Sequence, residues 1–357
     1  MKVLPDPRLW SGRRVLVTGN TGFKGSWLTL WLERLGAEVL GLALRELPTT
    51  PSLWADLSFS GHQIQGDICS SSWVDSVRRF QPEVVFHLAG QSIVSEGYRR
   101  PGATFETNTL GVVRILEAVT GLSSLSAVVV ITTDKVYDTR QPGPHREEAF
   151  LGGRDPYSAS KAAAELVCSA WPEGRLPLVT ARAGNVVGGG DWAQGRLIPD
   201  LVRAWSRGDP LQLRDPSGVR PWQHVLEPLC GYLLYAQAVV TADPVSSALN
   251  FGPAECDMVS VHDLVAFSAG LWVGRAGRTS HPFWTAGLER PYAEAGELTL
   301  NSERAHSELG WSSLLSWRDT MTMTLSWYDD YLSGISAEAL VQRDFDLYYQ
   351  RAHSVEA

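Results

Sequence analysis

Arg14-Val-Leu-Val-Thr-Gly19-Asn-Thr-Gly22-Phe-Lys-Gly25 is the stretch on which the fold turns. Val15, Leu16 and Val17 form an apolar run without polar alternation, as expected of a strand buried on both faces. Three glycines at GxxGxxG spacing follow, and helical periodicity then continues over 26–35. That spacing lets the backbone turn tightly, lets a pyrophosphate approach the main chain and lets the helix pack close to the sheet. The helix N-terminus then offers unpaired N–H donors to the anion. An ordinary tight turn is the plain alternative. Placement inside a strand–helix–strand unit near the start of the sequence favours a dinucleotide site built from Gly19, Thr21, Gly22, Phe23, Lys24 and Gly25.

The same rhythm extends outward. Strands are expected at 38–44, 62–66, 83–88, 126–132 and 176–181, with helices at 73–80, 105–119 and 156–170 between them. Near-continuous apolar strands alternating with helices predict an α/β fold, a Rossmann-type doubly wound parallel sheet. Beyond about 185 the rhythm breaks, and helices near 198–207, 226–239, 261–271 and 317–331 are separated by irregular, Gly- and Trp-rich segments. This reads as a smaller mixed α/β lobe for substrate. The expected division is 1–184 for the dinucleotide domain, with later segments able to return to it, 185–343 for the lobe, and 344–357 for a tail.

Composition bounds the function. The 357 residues are 44% hydrophobic and 20% charged, with a net charge of −8, which supports a sizeable core. It argues against a nucleic-acid phosphate backbone as partner. The four cysteines, Cys69, Cys168, Cys230 and Cys256, form no CxxC pair. Reduced thiols, no signal-like N-terminus and no apolar run of membrane length predict a cytoplasmic protein without a membrane partner. No metal-ligand pattern is present. Lysine occurs only at Lys2, Lys24, Lys135 and Lys161, and three of the four fall in the motifs that carry chemistry.

Two of those motifs follow the glycine loop. Tyr157-Ser-Ala-Ser-Lys161 puts a phenol and an ammonium on one helix face, where the ammonium favours phenolate and makes Tyr157 a base towards a hydroxyl. Thr132-Thr-Asp-Lys135 ends the preceding strand, with Thr133 placed to bond the same substrate oxygen. Asp134 and Lys135 offer an acid and a base, as an elimination requires. At the end of the second strand, Glu46 suits a ribose diol and NAD, while Arg45 suits a 2′-phosphate and NADP; NAD is the reading preferred. Asp67, with Ile68 beside it, suits an adenine contact or a helix cap.

With these motifs the chain resembles the extended short-chain dehydrogenase/reductase superfamily, and within it the nucleotide-sugar 4,6-dehydratases. The strings Gly19–Trp27, Thr132–Tyr137, Asp155–Lys161, Arg182–Trp192, Arg196–Asp200 and Arg220–Pro228 carry the likeness, which covers nearly the whole chain. They are most similar to the branch that acts on CDP-glucose. The resemblance implies catalytic roles for Thr133, Asp134, Lys135, Tyr157 and Lys161, and cofactor contacts from the glycine loop, Asp67, Ile68, Leu88 and Ala89. It implies substrate contacts from Asn185, Asp191, Trp192, Arg196, Arg220 and His224, and a homodimer or homotetramer. The sequence departs from the family pattern where Ser92 stands for proline, Ser95 for arginine and Gly97 for serine, and where Ala293 stands for histidine.

Overall fold

The computed structural model describes residues 4–141, 143–172, 174, 176–254, 257–273, 284–286 and 298–354. Cys256 and Ala293 lie outside the described residues. Seven strands form the main sheet: β1 Arg14–Thr18, β2 Glu38–Ala43, β3 His62–Gln65, β4 Val84–His87, β5 Ala127–Ile131, β6 Leu178–Ala183 and β7 Ala248–Phe251. Every pairing is parallel, in the order β7-β6-β5-β4-β1-β2-β3. The strand order reverses at β1, which pairs with β2 on one side and β4 on the other. A crevice at the carboxyl ends of these strands is the ligand position this topology creates.

Alternation along β1 explains why the run is apolar throughout. Val15 and Val17 pack into one buried cluster with Trp27 and Trp31, from helix α1 (Phe23–Arg34). Leu16 faces the opposite cluster with Val112 and Ile115. The expected α/β doubly wound architecture is what the chain adopts. After β6 come short paired strands and further helices, among them Leu197–Ser206, Leu226–Val240 and Val261–Val273, of which Leu226–Val240 packs against β5 of the main sheet. Residues 248–251 return to the main sheet as β7, on the far side of β6. Among the described residues, no helix is long and apolar enough to cross a membrane.

Two stretches differ from expectation. The helix expected at 105–119 begins at Pro101 and is interrupted by a π turn over Glu106–Leu110. Such a bulge re-aims a side chain, here the buried Asn108. Of the segment 344–357 read as a tail, residues 344–354 instead belong to the helix Ala337–Ser354, which packs on the core. Leu340, Val341, Phe345, Tyr348 and Ala352 recur at helical spacing and are buried. Trp31 meets Phe345 edge-on at 5.4 Å and donates from Nε1 to Tyr349 Oη at 2.9 Å.

That helix carries a titratable contact. Asp344 Oδ2 lies 4.0 Å from His224 Nε2, both side chains fully buried. Burial raises Asp344 from 3.8 to about 7 and lowers His224 to about 3. The raised carboxyl binds its proton more tightly folded than unfolded, so its contribution to stability falls as pH rises from near 3.8 through about 7. The lowered histidine acts in the opposite sense between about 3 and 6.5. Asp344→Asn isolates the carboxyl: its gain in melting temperature over the parent is expected to be larger at pH 8 than at pH 5. An equal shift at both pH values would show that Asp344 does not titrate in this window.

Candidate active site

The crevice opens into a cavity of about 1140 Å³ lined by both lobes. Its floor is the glycine loop. Gly19 has φ +71°, and a Cβ there would lie 2.7 Å from Ala89 N. A Cβ on Gly25 would lie 2.2 Å from Gly19 O. Gly22 caps helix α1 without any side-chain hydrogen bond, leaving the first-turn donors to a ligand. Thr21, Phe23, Ile68, Leu88 and Ala89 line the same space. A cradle closed to Cβ atoms, at an uncapped helix start, fits a dinucleotide pyrophosphate. Asp67 also lines it, and its Oδ1 accepts from Cys69 N at 2.8 Å within a local turn; it does not cap the next helix, Val74–Phe80, which starts after Trp73. Glu46 is among the lining residues and Arg45 is not.

Strand β5 delivers the second group. It ends in a tight turn where Thr133 Oγ1 donates to Asp134 Oδ1 at 2.9 Å and Lys135 Nζ lies 3.6 Å from the same oxygen. Asp134 is 1% exposed, and its Oδ2 has no protein partner. Helix α4 (Pro156–Ser169) delivers the third. Asp155 caps it, accepting from Ser158 N at 3.0 Å, and Pro156 occupies its first position, which sets Tyr157 in the first turn. Lys161 follows one turn later and donates from Nζ to Ile131 O at 3.1 Å. A Cβ on Gly97 would lie 3.2 Å from Tyr157 N, so this departure from the family pattern lets the helix Val94–Arg99 pack against the tyrosine.

The lobe supplies the opposite wall. Arg196 donates from Nη1 to Asp191 Oδ2 at 2.9 Å and from Nη2 to Ser92 Oγ at 2.8 Å, joining the two walls. Asn185, Trp192 and Arg220 also line the cavity. His224 does not. It is fully buried beside Trp27 and Asp344, because its short strand points the ring into the core. One residue passed over in the sequence holds the site's frame. Asn108 donates to Gln91 O at 3.0 Å and to Ser160 Oγ at 2.9 Å, and accepts from Gln91 N at 2.8 Å. No periodic or spacing signal marks a single Asn in a helix as such a tie.

With this geometry in hand, the comparisons are decisive. The sequence profile of the NAD dependent epimerase/dehydratase family matches residues 15–249. A CDP-glucose 4,6-dehydratase of Salmonella typhimurium is 40% identical over 344 residues, spanning 92% of this chain and 94% of the relative. The chain belongs to the NAD-dependent epimerase/dehydratase family. Within that family it is a nucleotide-sugar 4,6-dehydratase. The structure of MoeE5 in complex with UDP-glucose and NAD superposes with a TM-score of 0.74 at 28% identity, covering 89% of this chain and 99% of that one. An epimerase from Methanothermobacter thermautotrophicus shares the fold, with a TM-score of 0.80 at 22% identity over 95% of this chain and 96% of that one.

The dehydratase's charges are arranged tightly. Burial raises the Tyr157 phenol, and the cations that pull it back down are Lys135 and Arg196, with Asp134 opposing them. Burial lowers Lys161 to about 8 against the upward pull of Glu165. Lys24 also faces this space. Its ammonium sits 5.9 Å over the Tyr232 ring and is lowered to about 7, chiefly by burial and then by Arg196. The arrangement can remove a hydroxyl proton at Tyr157 while holding an acid and an amine within the same turn for a second step.

Proposed function

We propose that this dehydratase converts CDP-glucose to CDP-4-keto-6-deoxyglucose. The observation that carries the reading is the Asp134–Lys135 pair, turned towards the same cavity as Tyr157 and Thr133. Tyr157 takes the proton of the 4-hydroxyl while Thr133 holds its oxygen. NAD, when bound, supplies the acceptor for the C4 hydride and returns it to C6. The 4-keto group acidifies C5–H, Lys135 takes that proton, and Asp134 protonates the departing 6-hydroxyl, which leaves as water. C5 regains its proton from the Lys135 ammonium as C6 receives hydride, so the product is a 4-keto-6-deoxy sugar one water lighter than the substrate. A nucleotide-sugar 4-epimerase is the rival reading, but epimerisation gives Asp134 and Lys135 nothing to do.

Glu46 in the cavity, without Arg45, supports NAD over NADP. The guanidinium forks of Arg196 and Arg220 suit the two phosphates of the nucleotide. Asn185 and Asp191 serve sugar or phosphate oxygens, and Trp192 walls the base or sugar. Cys69, Cys168 and Cys230, reduced and in no disulfide, suit a cytoplasmic enzyme. Incubation with CDP-, dTDP-, UDP- and GDP-hexoses, followed by mass measurement, is expected to show loss of one water from CDP-glucose. Turnover of another nucleotide sugar with CDP-glucose untouched would sink the substrate assignment.

We also place a homodimer contact on helix α4 and the helical segment packed beside it. Leu166, Phe105 and Leu110 are exposed there at 58%, 39% and 49%. Apolar side chains exposed on two adjacent helices suit an isologous interface. Leu166→Glu is expected to halve the mass measured by light scattering while leaving the circular dichroism unchanged. An unaltered mass would put the interface elsewhere.

A further inference from the structure

We infer that the buried Glu165–Arg182 pair is a positioning device that holds the Thr133–Val136 turn in register with helix α4. Glu165 lies one turn beyond Lys161 on α4, and Arg182 comes from β6. Their side chains are 3% and 5% exposed, and Arg182 Nη2 donates to Glu165 Oε2 at 2.7 Å. The pair grips the turn at both ends. On the entering side, Thr132 Oγ1 donates to Glu165 Oε1. On the leaving side, Arg182 Nη1 donates to Tyr137 Oη at 2.7 Å and to Glu147 O at 2.9 Å. Thr180 Oγ1 donates to Glu165 Oε2 at 2.8 Å, and Tyr137 Oη donates to Asn250 Oδ1 at 2.7 Å.

A buried ion pair is weak support for stability, since desolvation offsets most of its attraction. What it confers here is geometry. Tyr157 and Lys161 ride on α4, whereas Asp134 and Lys135 ride on the turn. Glu165 and Arg182 bond both carriers through charged, directional contacts, beside the single bond from Lys161 Nζ to Ile131 O at the strand end. A guanidinium can hold a carboxylate and a phenol at once, while an ammonium on a flexible stem cannot reproduce that fork. The pair touches neither cofactor nor substrate space; it acts through Thr132 and Tyr137.

This inference rests on the assignment of the elimination to Asp134 and Lys135. The test uses Arg182→Lys, which keeps the charge but loses the fork, and Tyr137→Phe, which keeps the ring and removes one hydroxyl. Misplacing reacting groups by about 1 Å can cost on the order of 10²-fold. With CDP-glucose, both variants are expected to lose water about 10–100-fold more slowly, with KM little changed. NADH absorbance from C4 oxidation is expected to persist, so that reduced cofactor accumulates. The double variant is expected to be no slower than Arg182→Lys alone, because both act through one contact. The positioning role is overturned if oxidation and water loss fall together, or if neither falls while only the melting temperature drops. If Asp134→Asn dehydrates at the parent rate, the elimination assignment itself fails, and this inference with it. An impaired Asp134→Asn beside an unimpaired Arg182→Lys overturns the positioning role alone.

Discussion

Tyr157→Phe is expected to abolish product and NADH formation together, because the phenolic base that takes the 4-hydroxyl proton is gone. The ring stays in its buried seat, so folding should be intact and the loss chemical. Asp134→Asn and Lys135→Met should behave differently. Both should still oxidise C4, seen as NADH absorbance on adding CDP-glucose, and both should fail to release water. Losses on the order of 10²–10⁴-fold are typical of positioned general acids and bases. Exchange of the C5 proton with heavy water divides the pair, surviving Asp134→Asn better than Lys135→Met.

The charges around Tyr157 add a pH signature. Lys135 pulls the phenol down and Asp134 pushes it up. Removing the ammonium should therefore move the oxidation step's basic form to higher pH, and neutralising the carboxylate should move it to lower pH. If both variants dehydrate at parental rates, Asp134 and Lys135 are an ordinary ion pair and the mechanism loses its support.

Gly22→Val is expected to remove dinucleotide binding while sparing the fold. The three loop glycines are not equivalent. At Gly19 and Gly25 a Cβ would strike backbone at 2.7 and 2.2 Å, and Gly19 also needs its positive φ, so substitution there breaks the loop itself. At Gly22 the single close neighbour is Gly19 O at 3.2 Å, which yields with a small shift. The added methyls instead occupy the path of a pyrophosphate at the helix start. Calorimetric titration with NAD should show no measurable binding, with the circular dichroism unchanged. Parental affinity in a folded Gly22→Val protein would refute the cradle.

Much of this molecule follows from local pattern. The apolar runs of β1, β2, β4, β5 and β6, the glycine loop, the Asp155-Pro156 start of α4 and the Tyr157–Lys161 spacing are each written within a few residues. Strand propensity, turn chemistry and helix capping act over that range, so the doubly wound sheet and the residues at its carboxyl edge are legible without coordinates. Other features depend on what the folded chain brings together. His224 sits in a string that resembles substrate contacts, yet its ring faces Trp27 and Asp344, a residue far along the chain. The segment from Asp344 onward looks like a tail until Trp31 and Glu227 are seen to receive Tyr349 and Tyr348. The Tyr157–Lys161 spacing pairs the phenol with one ammonium, and the fold adds Lys135 and Arg196, from other elements, which also pull the phenol down. The pairing of Glu165 with Arg182, which opens the Arg182–Trp192 string, is not legible in sequence because an ion pair joining a helix to a strand end has no spacing rule. Local sequence sets which backbone forms and which atoms reach the cavity's edge; burial and long-range pairing, which alter charge and orientation only after the lobes meet, decide which of those atoms face each other.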